Sequence, residues 1–247
     1  MDSGFYSAFT ALAARMQALD LVANNLANAN TVGYKGQEEF YRAFSASLNN
    51  TRLTRLTSEN QAINDFAIIG GARIDLSAGS LSNTGNDTDL AIDGTGFFSV
   101  QTKGGIRYTR NGNFRLNAQR QLVDHQGNPV IGEQGPIVLP NGKMTISDDG
   151  TVSVDGAIVD KLKVVDFAPG TLIVPEGNTD FTAPAGSATP SAAAQVRQGM
   201  LESSNSDPVT SAVSLIDLQR NAELVQRALS IFNTDFNQTA VQELPKI

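Results

Sequence analysis

Only one histidine, His125, and no cysteine occur among the 247 residues, so the chemistry open to this chain is narrow. A lone imidazole could serve as a general base or join a Ser–His–Asp relay. His125, however, sits in the turn-like run Asp124-His-Gln-Gly127, and no Gly-x-Ser-x-Gly elbow accompanies it. It reads as a solvated turn residue. A zinc site of the usual kind needs thiolates or several imidazoles, which this composition does not supply. Asn86-Asp-Thr-Asp89 and Asp148-Asp149-Gly150 are spaced faintly like calcium loops, yet both lack the later ligands and the closing glutamate. Gly94-Thr-Gly-Phe-Phe-Ser99 begins like a dinucleotide loop but has neither the third glycine nor a following helix, and reads as a hairpin turn entering a strand. No catalytic, cofactor or metal residue is assigned, and the expectation is a protein that is not an enzyme.

The densest polar chemistry is carried by amides. Between Ala18 and Lys35 the chain places Asn24, Asn25, Asn28 and Asn30. Asparagine weakens a helix because its amide competes for nearby backbone groups. The same amide donates and accepts, which suits a surface that pairs with other polar protein. Asn24, Asn25 and Asn28 are therefore the candidates for polar contacts between subunits. Gly33 then offers the left-handed conformation that ends a helix or turn. The net charge of -7 argues against nucleic acid or an anionic membrane as the main partner. No small-molecule substrate is implied. No apolar run approaches the ~18 residues of a membrane-spanning helix. The first residues lack the basic start and apolar core of a secretory signal, so export would need another route.

The elements that must position these residues follow from periodicity. Phe5, Phe9, Leu12, Met16, Leu19, Ala23 and Leu26 recur in steps of four and three, a heptad stripe on a helix spanning about residues 3–30. Leu215, Leu218, Ala222, Val225, Leu229, Phe232 and Phe236 repeat the pattern on a second helix. Its start is marked by Asp207-Pro208, a capping carboxylate followed by proline at the first helical position. Between them, turn dipeptides such as Asp93-Gly94, Asn141-Gly142 and Asp155-Gly156 separate short alternating runs, the grammar of antiparallel hairpins. Phe97-Phe98 and Val164-Val165 break the alternation, as strands covered on both faces do. Phe40, Tyr41 and Phe44 read as a short helix or docking cluster. The expected fold is α+β. Long terminal helices pair as a coiled-coil-like seam through Phe5, Phe9, Leu12, Met16, Leu19 and Leu26 against Leu215, Leu218, Val225, Leu229 and Phe232. An antiparallel all-β domain is inserted between them. The divisions are residues 1–35 for the first helix and turn, 36–89 for an extended segment, 90–180 for the β domain, 181–206 for a linker and 207–247 for the last helix.

Three blocks carry a resemblance. Leu21-Val-Ala-Asn-Asn-Leu-Ala-Asn-Ala-Asn-Thr-Val-Gly-Tyr-Lys35 is similar to the N-terminal signature of the bacterial flagellar rod–hook axial proteins. Asp89-Leu-Ala-Ile-Asp-Gly-Thr-Gly-Phe-Phe98, with Arg107-Tyr-Thr-Arg-Asn-Gly112 and Gly127-Asn-Pro-Val130, resembles that family's central β region. Gly199-Met-Leu-Glu-Ser-Ser-Asn205 resembles its C-terminal signature. The start Met-Asp-x-x-x-Tyr and Asn128-Pro-Val-Ile-Gly-Glu133 are most similar to the proximal-rod type, with the distal-rod type second. The chain departs from the usual pattern at Ser206-Asp-Pro208. The resemblance implies a structural subunit of the basal-body rod. Its terminal helices would form a hollow drive shaft, with other rod subunits as partners. It would leave the cell through the flagellar type III export apparatus without signal cleavage and reside in the periplasmic rod. From the residues alone, a secreted adhesin or binding module with helical ends stands as the alternative.

Overall fold

A computed structural model describes residues 2–42, 68–177, 179–191 and 193–243. Two helices flank a β-rich middle: α1 (Asp2–Ala27) and α2 (Pro208–Glu243). The chain divides into two compact units. One comprises Met1–Leu26, Gln37–Arg73 and Pro208–Ile247; the other comprises Ala27–Gly36 and Ile74–Asp207.

The helical unit also holds a two-stranded sheet of β1 (Gln37–Arg42) and β2 (Ile68–Ile74). Phe40 and Tyr41 therefore lie in a strand and not in the short helix their clustering suggested; Phe44 lies outside the described residues. On α1 the inward face centres on Ala18, 1% exposed, with Ala11, Ala14 and Val22 half-buried. On α2 the inward face is Leu215, Leu218, Ala222, Val225 and Leu229, of which Ala222 is buried and the rest half-buried.

These exposures correct the expected seam. The inserted β domain is present, but a long coiled-coil-like pairing of the terminal helices is not shown among the described residues. Of the α1 stripe, Phe9 is 59% and Met16 49% exposed, while Leu12, Leu19 and Leu26 are half-buried. Phe5 and Phe232 lie within the helices, their side chains outside the described set. The reason is physical. A stripe of large residues marks an apolar face, but a face of alanines lets another surface approach more closely. The inward side of α1 is accordingly turned away from Phe9 and Met16.

The β unit is antiparallel throughout its described strand pairings. Its strands, in order, are β3 (Leu81–Asn83), β4 (Leu90–Asp93), β5 (Phe97–Thr102), β6 (Gly105–Thr109), β7 (Arg115–Leu116), β8 (Leu122–Val123) and β9 (Met144–Ile146). They continue as β10 (Thr151–Val154), β11 (Ala157–Lys161), β12 (Val164–Phe167), β13 (Val174–Pro175), β14 (Asp180–Thr182), β15 (Ala188–Pro190), β16 (Gln195–Gln198) and β17 (Met200–Glu202). The main sheet runs β13-β14-β6-β5-β12-β15, a meander β11-β10-β9 lies beside it in sequence, and β16-β4, β17-β3 and β7-β8 form pairs. The β10–β11 turn uses Asp155 and Gly156, both at positive φ, the conformation that matches a tight hairpin to the strand twist.

Strand β5 has apolar cover on both sides. Phe98 enters the principal core with Leu90, Val100, Leu122, Val130 and Ile137, while Phe97 packs with Val165 and Phe181 in a second cluster. The Phe97 ring meets Phe181 and Phe167 at centroid distances of 5.5 and 5.6 Å. That double cover is why the pair breaks the strand alternation.

Candidate functional site: a buried ionic knot

Residues 33–36, 75–79, 110 and 202–205 converge within the β unit. Gly33 makes the approach possible. Its φ is +67°, and a Cβ placed there would lie 2.3 Å from the Asn111 nitrogen and 2.4 Å from the Arg110 carbonyl carbon. Its amide donates to the carbonyl of Glu202 at 2.8 Å. The turn that follows α1 is thereby fastened between the end of β6 and strand β17.

Two residues on, the Lys35 ammonium is fully buried. It donates to the Glu202 carboxylate at 2.7 Å and to the Ser77 carbonyl at 2.6 Å. Glu202 Oε1 also accepts from the Gly79 amide at 2.9 Å, and Oε2 accepts from Arg110 Nη1 at 3.1 Å. Arg110 donates further to the carbonyls of Ile92 and Gly94, and its guanidinium lies 5.4 Å from the centre of the Phe97 ring. Among the described residues its Nε has no hydrogen-bond partner. One carboxylate thus holds two buried cations. Burial pushes the Lys35 amine below the usual lysine range, and the Glu202 hydrogen bond opposes that shift. Burial likewise raises the phenol of the neighbouring Tyr34.

Amides complete the knot by imitating backbone. Asn205 Oδ1 accepts from the Gly36 amide at 2.8 Å, and its Nδ2 donates to the Asp75 carbonyl at 2.9 Å. In the helical unit, Asn25 does the same for Gln37: its Oδ1 accepts from the Gln37 amide at 2.9 Å and its Nδ2 donates to that residue's carbonyl at 2.8 Å. Asn28 is buried and accepts from the Thr31 hydroxyl at 3.2 Å. Asn24 is exposed on α1. Asn25 and Asn28, two of the three amides expected at subunit contacts, thus make hydrogen bonds inside the chain, and Asn24 is not without a partner either.

The residues first read for catalytic or metal chemistry serve turns. His125 is exposed, and its carbonyl accepts from Arg115. Asp89 accepts from Thr84, Asn86 and Asn113. Asp149 caps the Thr151 amide and hydroxyl. The carbonyl of Gly94 is spent on Arg110.

Sequence reasoning did not single out Arg110 or Glu202. The Lys35–Glu202 pair spans 167 residues and the Arg110–Glu202 pair 92, so no spacing rule joins them. The available signal was positional: Lys35, Arg110 and Glu202 fall one in each of the three motif blocks.

Comparison with known proteins divides the chain the same way. Residues 5–35 match the family described as flagella basal body rod protein, residues 91–154 the flagellar hook protein FlgE/F/G D1 domain, and residues 197–240 the flagellar basal body rod FlgEFG protein C-terminal. A flagellar basal-body rod protein FlgF of Caulobacter vibrioides is 35% identical over 100% of both chains. One of Mesorhizobium japonicum is 33% identical over 90% of each. A flagellar basal-body rod protein FlgG of Buchnera aphidicola is 29% identical over 90% of this chain and 92% of its own.

Proposed function

This chain belongs to the family of flagellar basal-body rod proteins, and we propose that its terminal helices build the shaft while the ionic knot carries load from them into the β unit. It is a structural subunit of the basal-body rod, of the FlgF proximal type, and not an enzyme. Its partners are other components of the flagellar basal body. The finer parts of the reading are that copies stack on one another and on other rod subunits in the periplasmic rod. The flagellar type III apparatus exports the chain without cleavage.

The convergence of Lys35, Arg110 and Glu202 supports the mechanical reading. A shaft transmits torque only if the segments leading into its helices do not give way. Here α1 ends at Ala27 and α2 begins at Pro208. The segments joining both helices to the β unit therefore pass through Gly33–Gly36 and Glu202–Asn205. A charge cluster whose members come from three distant segments fixes one geometry and resists shear, because each partner lost leaves another buried and unpaired. A heterologous contact that does not close into a ring then extends copies into a filament.

The helix stripes supply the test. Leu19→Asp or Leu218→Asp should leave the β unit folded, while purified basal bodies lose the chain and cells lose motility. Normal swimming and normal incorporation with either change would refute an assembly role for Leu19 and Leu218.

A further inference from the structure

A strand at the rim of a sheet turns the N–H and C=O of every second residue away from its neighbour, and those groups can template a further strand. The six-stranded sheet has its rims at β13 and β15. In β13, Val174 and Pro175 pair with Thr182 and Phe181 of β14. The next residue, Glu176, donates its amide inward to the Asp180 carbonyl at 2.8 Å. Antiparallel ladders alternate, so the backbone of Pro175 faces outward. In β15, Pro190 pairs with Val165 of β12, and the following Ser191 amide donates inward to the Val164 carbonyl at 3.1 Å. The backbone of Pro190 therefore faces outward as well. Both prolines are exposed. At each rim a proline stands where an amide would be offered to solvent, and proline has none to offer. One residue further along, either ring would delete a hydrogen bond of the sheet itself.

The β13 rim would be adhesive without its proline. Leu172 and Val174 beside it are 73 and 46% exposed. An added strand would find apolar side chains there as well as backbone.

The three-stranded meander is closed by other means. Along β9, one side chain takes both an outward amide and an outward carbonyl. The Ile146 amide donates to Gln198 Oε1 at 3.0 Å, and Gln198 Nε2 donates to the Met144 carbonyl at 3.2 Å. Along β11, the Lys161 carbonyl accepts from the Glu133 amide at 2.8 Å. The β10–β11 ladder also slips register between Val152 and Ser153, leaving Val159 as an extra residue in β11. Such a bulge bends the strand and interrupts its outer row of groups.

We propose that these closures keep the β unit from adding strands of a second copy of this chain, with Pro175 and Pro190 as the stops on the six-stranded sheet. Crowding gives the closure its use. Copies stacked in a rod would hold their β units at close quarters, where strand addition would compete with ordered stacking. The closure itself does not depend on the rod reading, and the purified full-length chain tests it.

Pro175→Thr, Pro190→Thr and the double variant are compared with the parent by light scattering at low and high concentration, with circular dichroism reporting the fold. Threonine suits a strand and restores the amide. Should it disturb the fold at either site, alanine there restores the same amide. An open rim can pair with its like on another copy, and that pair is then complete. Each single variant is therefore expected to reach twice the parent's mass at high concentration. The double variant, open at both rims, is expected to grow into longer chains. The new amides at positions 175 and 190 should exchange hydrogen freely in dilute solution and become protected in the larger particles. The inference is overturned if the folded variants keep the parent's mass at high concentration. It is overturned equally if those amides are already protected in the dilute chain, or if larger particles form while they still exchange freely.

Discussion

Replacing Glu202 by glutamine tests the knot most sharply, because the change keeps shape and removes only charge and acceptor capacity. In the folded chain the carboxylate accepts from Lys35 and Gly79 through one oxygen and from Arg110 through the other. A glutamine amide has a single acceptor oxygen. Whichever way it is turned, its NH2 faces at least one donor. Two cations, each almost wholly buried, then share no anion. Breaking a buried ion pair from one side costs about 3–5 kcal/mol, a large part of the ~5–15 kcal/mol that holds a typical domain folded. Lys35→Met should cost less, about 1–2 kcal/mol, since Glu202 keeps Arg110 and the Gly79 amide while two hydrogen bonds are lost. The double variant should be more stable than the sum of the two losses by about 1–3 kcal/mol, the coupling expected of groups in one network. Tryptophan is absent, so urea unfolding is followed by circular dichroism of the β signal. A Glu202→Gln chain within about 1 kcal/mol of the parent, or losses that simply add, would refute the idea that this carboxylate neutralises two buried charges.

Other outcomes follow from the same geometry. Gly33→Ala combines a left-handed backbone with a Cβ driven into the Arg110–Asn111 peptide. It should destabilise the β unit by roughly 2–4 kcal/mol in the same urea titration. Asp180 is buried, and its carboxyl is held above its ordinary range first by burial and then by Asp124, against the pull of Arg107 and His125. Its folded-state pKa exceeds that of the unfolded chain. The stabilisation from binding that proton is therefore complete below pH 3.8 and is lost as pH rises through the folded value. Asp180→Asn should be more stable than the parent at neutral pH, and the gap should close on acidification to about pH 3.8, as thermal melts across pH would read. Asn205→Ala strips the Gly36 amide and the Asp75 carbonyl of their partner. It should cost about 1–3 kcal/mol and speed hydrogen exchange at Gly36.

Much of this architecture was legible because it rests on local pattern. The second helix begins where Asp207-Pro208 said it would, and Leu215, Leu218, Ala222, Val225 and Leu229 are its least exposed face. The hairpin at Asp155-Gly156 and the double cover of Phe97-Phe98 also follow from short-range signals. The α1 face was misjudged because size was read as burial. Ala18 is buried where Met16 is exposed, so side-chain size did not mark the covered face. Arg110 and Glu202 were invisible because a charge pair formed across the whole chain leaves no periodicity. Asn25 shows the same limit. Its motif marks it as important, but only the fold reveals that its amide holds the Gln37 backbone.

Reconstruction of purified basal bodies by electron cryo-microscopy, with this chain identified by a tag on an exposed β-unit turn, tests the central claim most directly. The account predicts α1 and α2 lining the inner wall of the rod, the β unit outside, and unbroken density from each helix into the segment around Lys35 and Glu202. Helices on the outer surface with the β unit inside, or rods of full length without the chain, would contradict it.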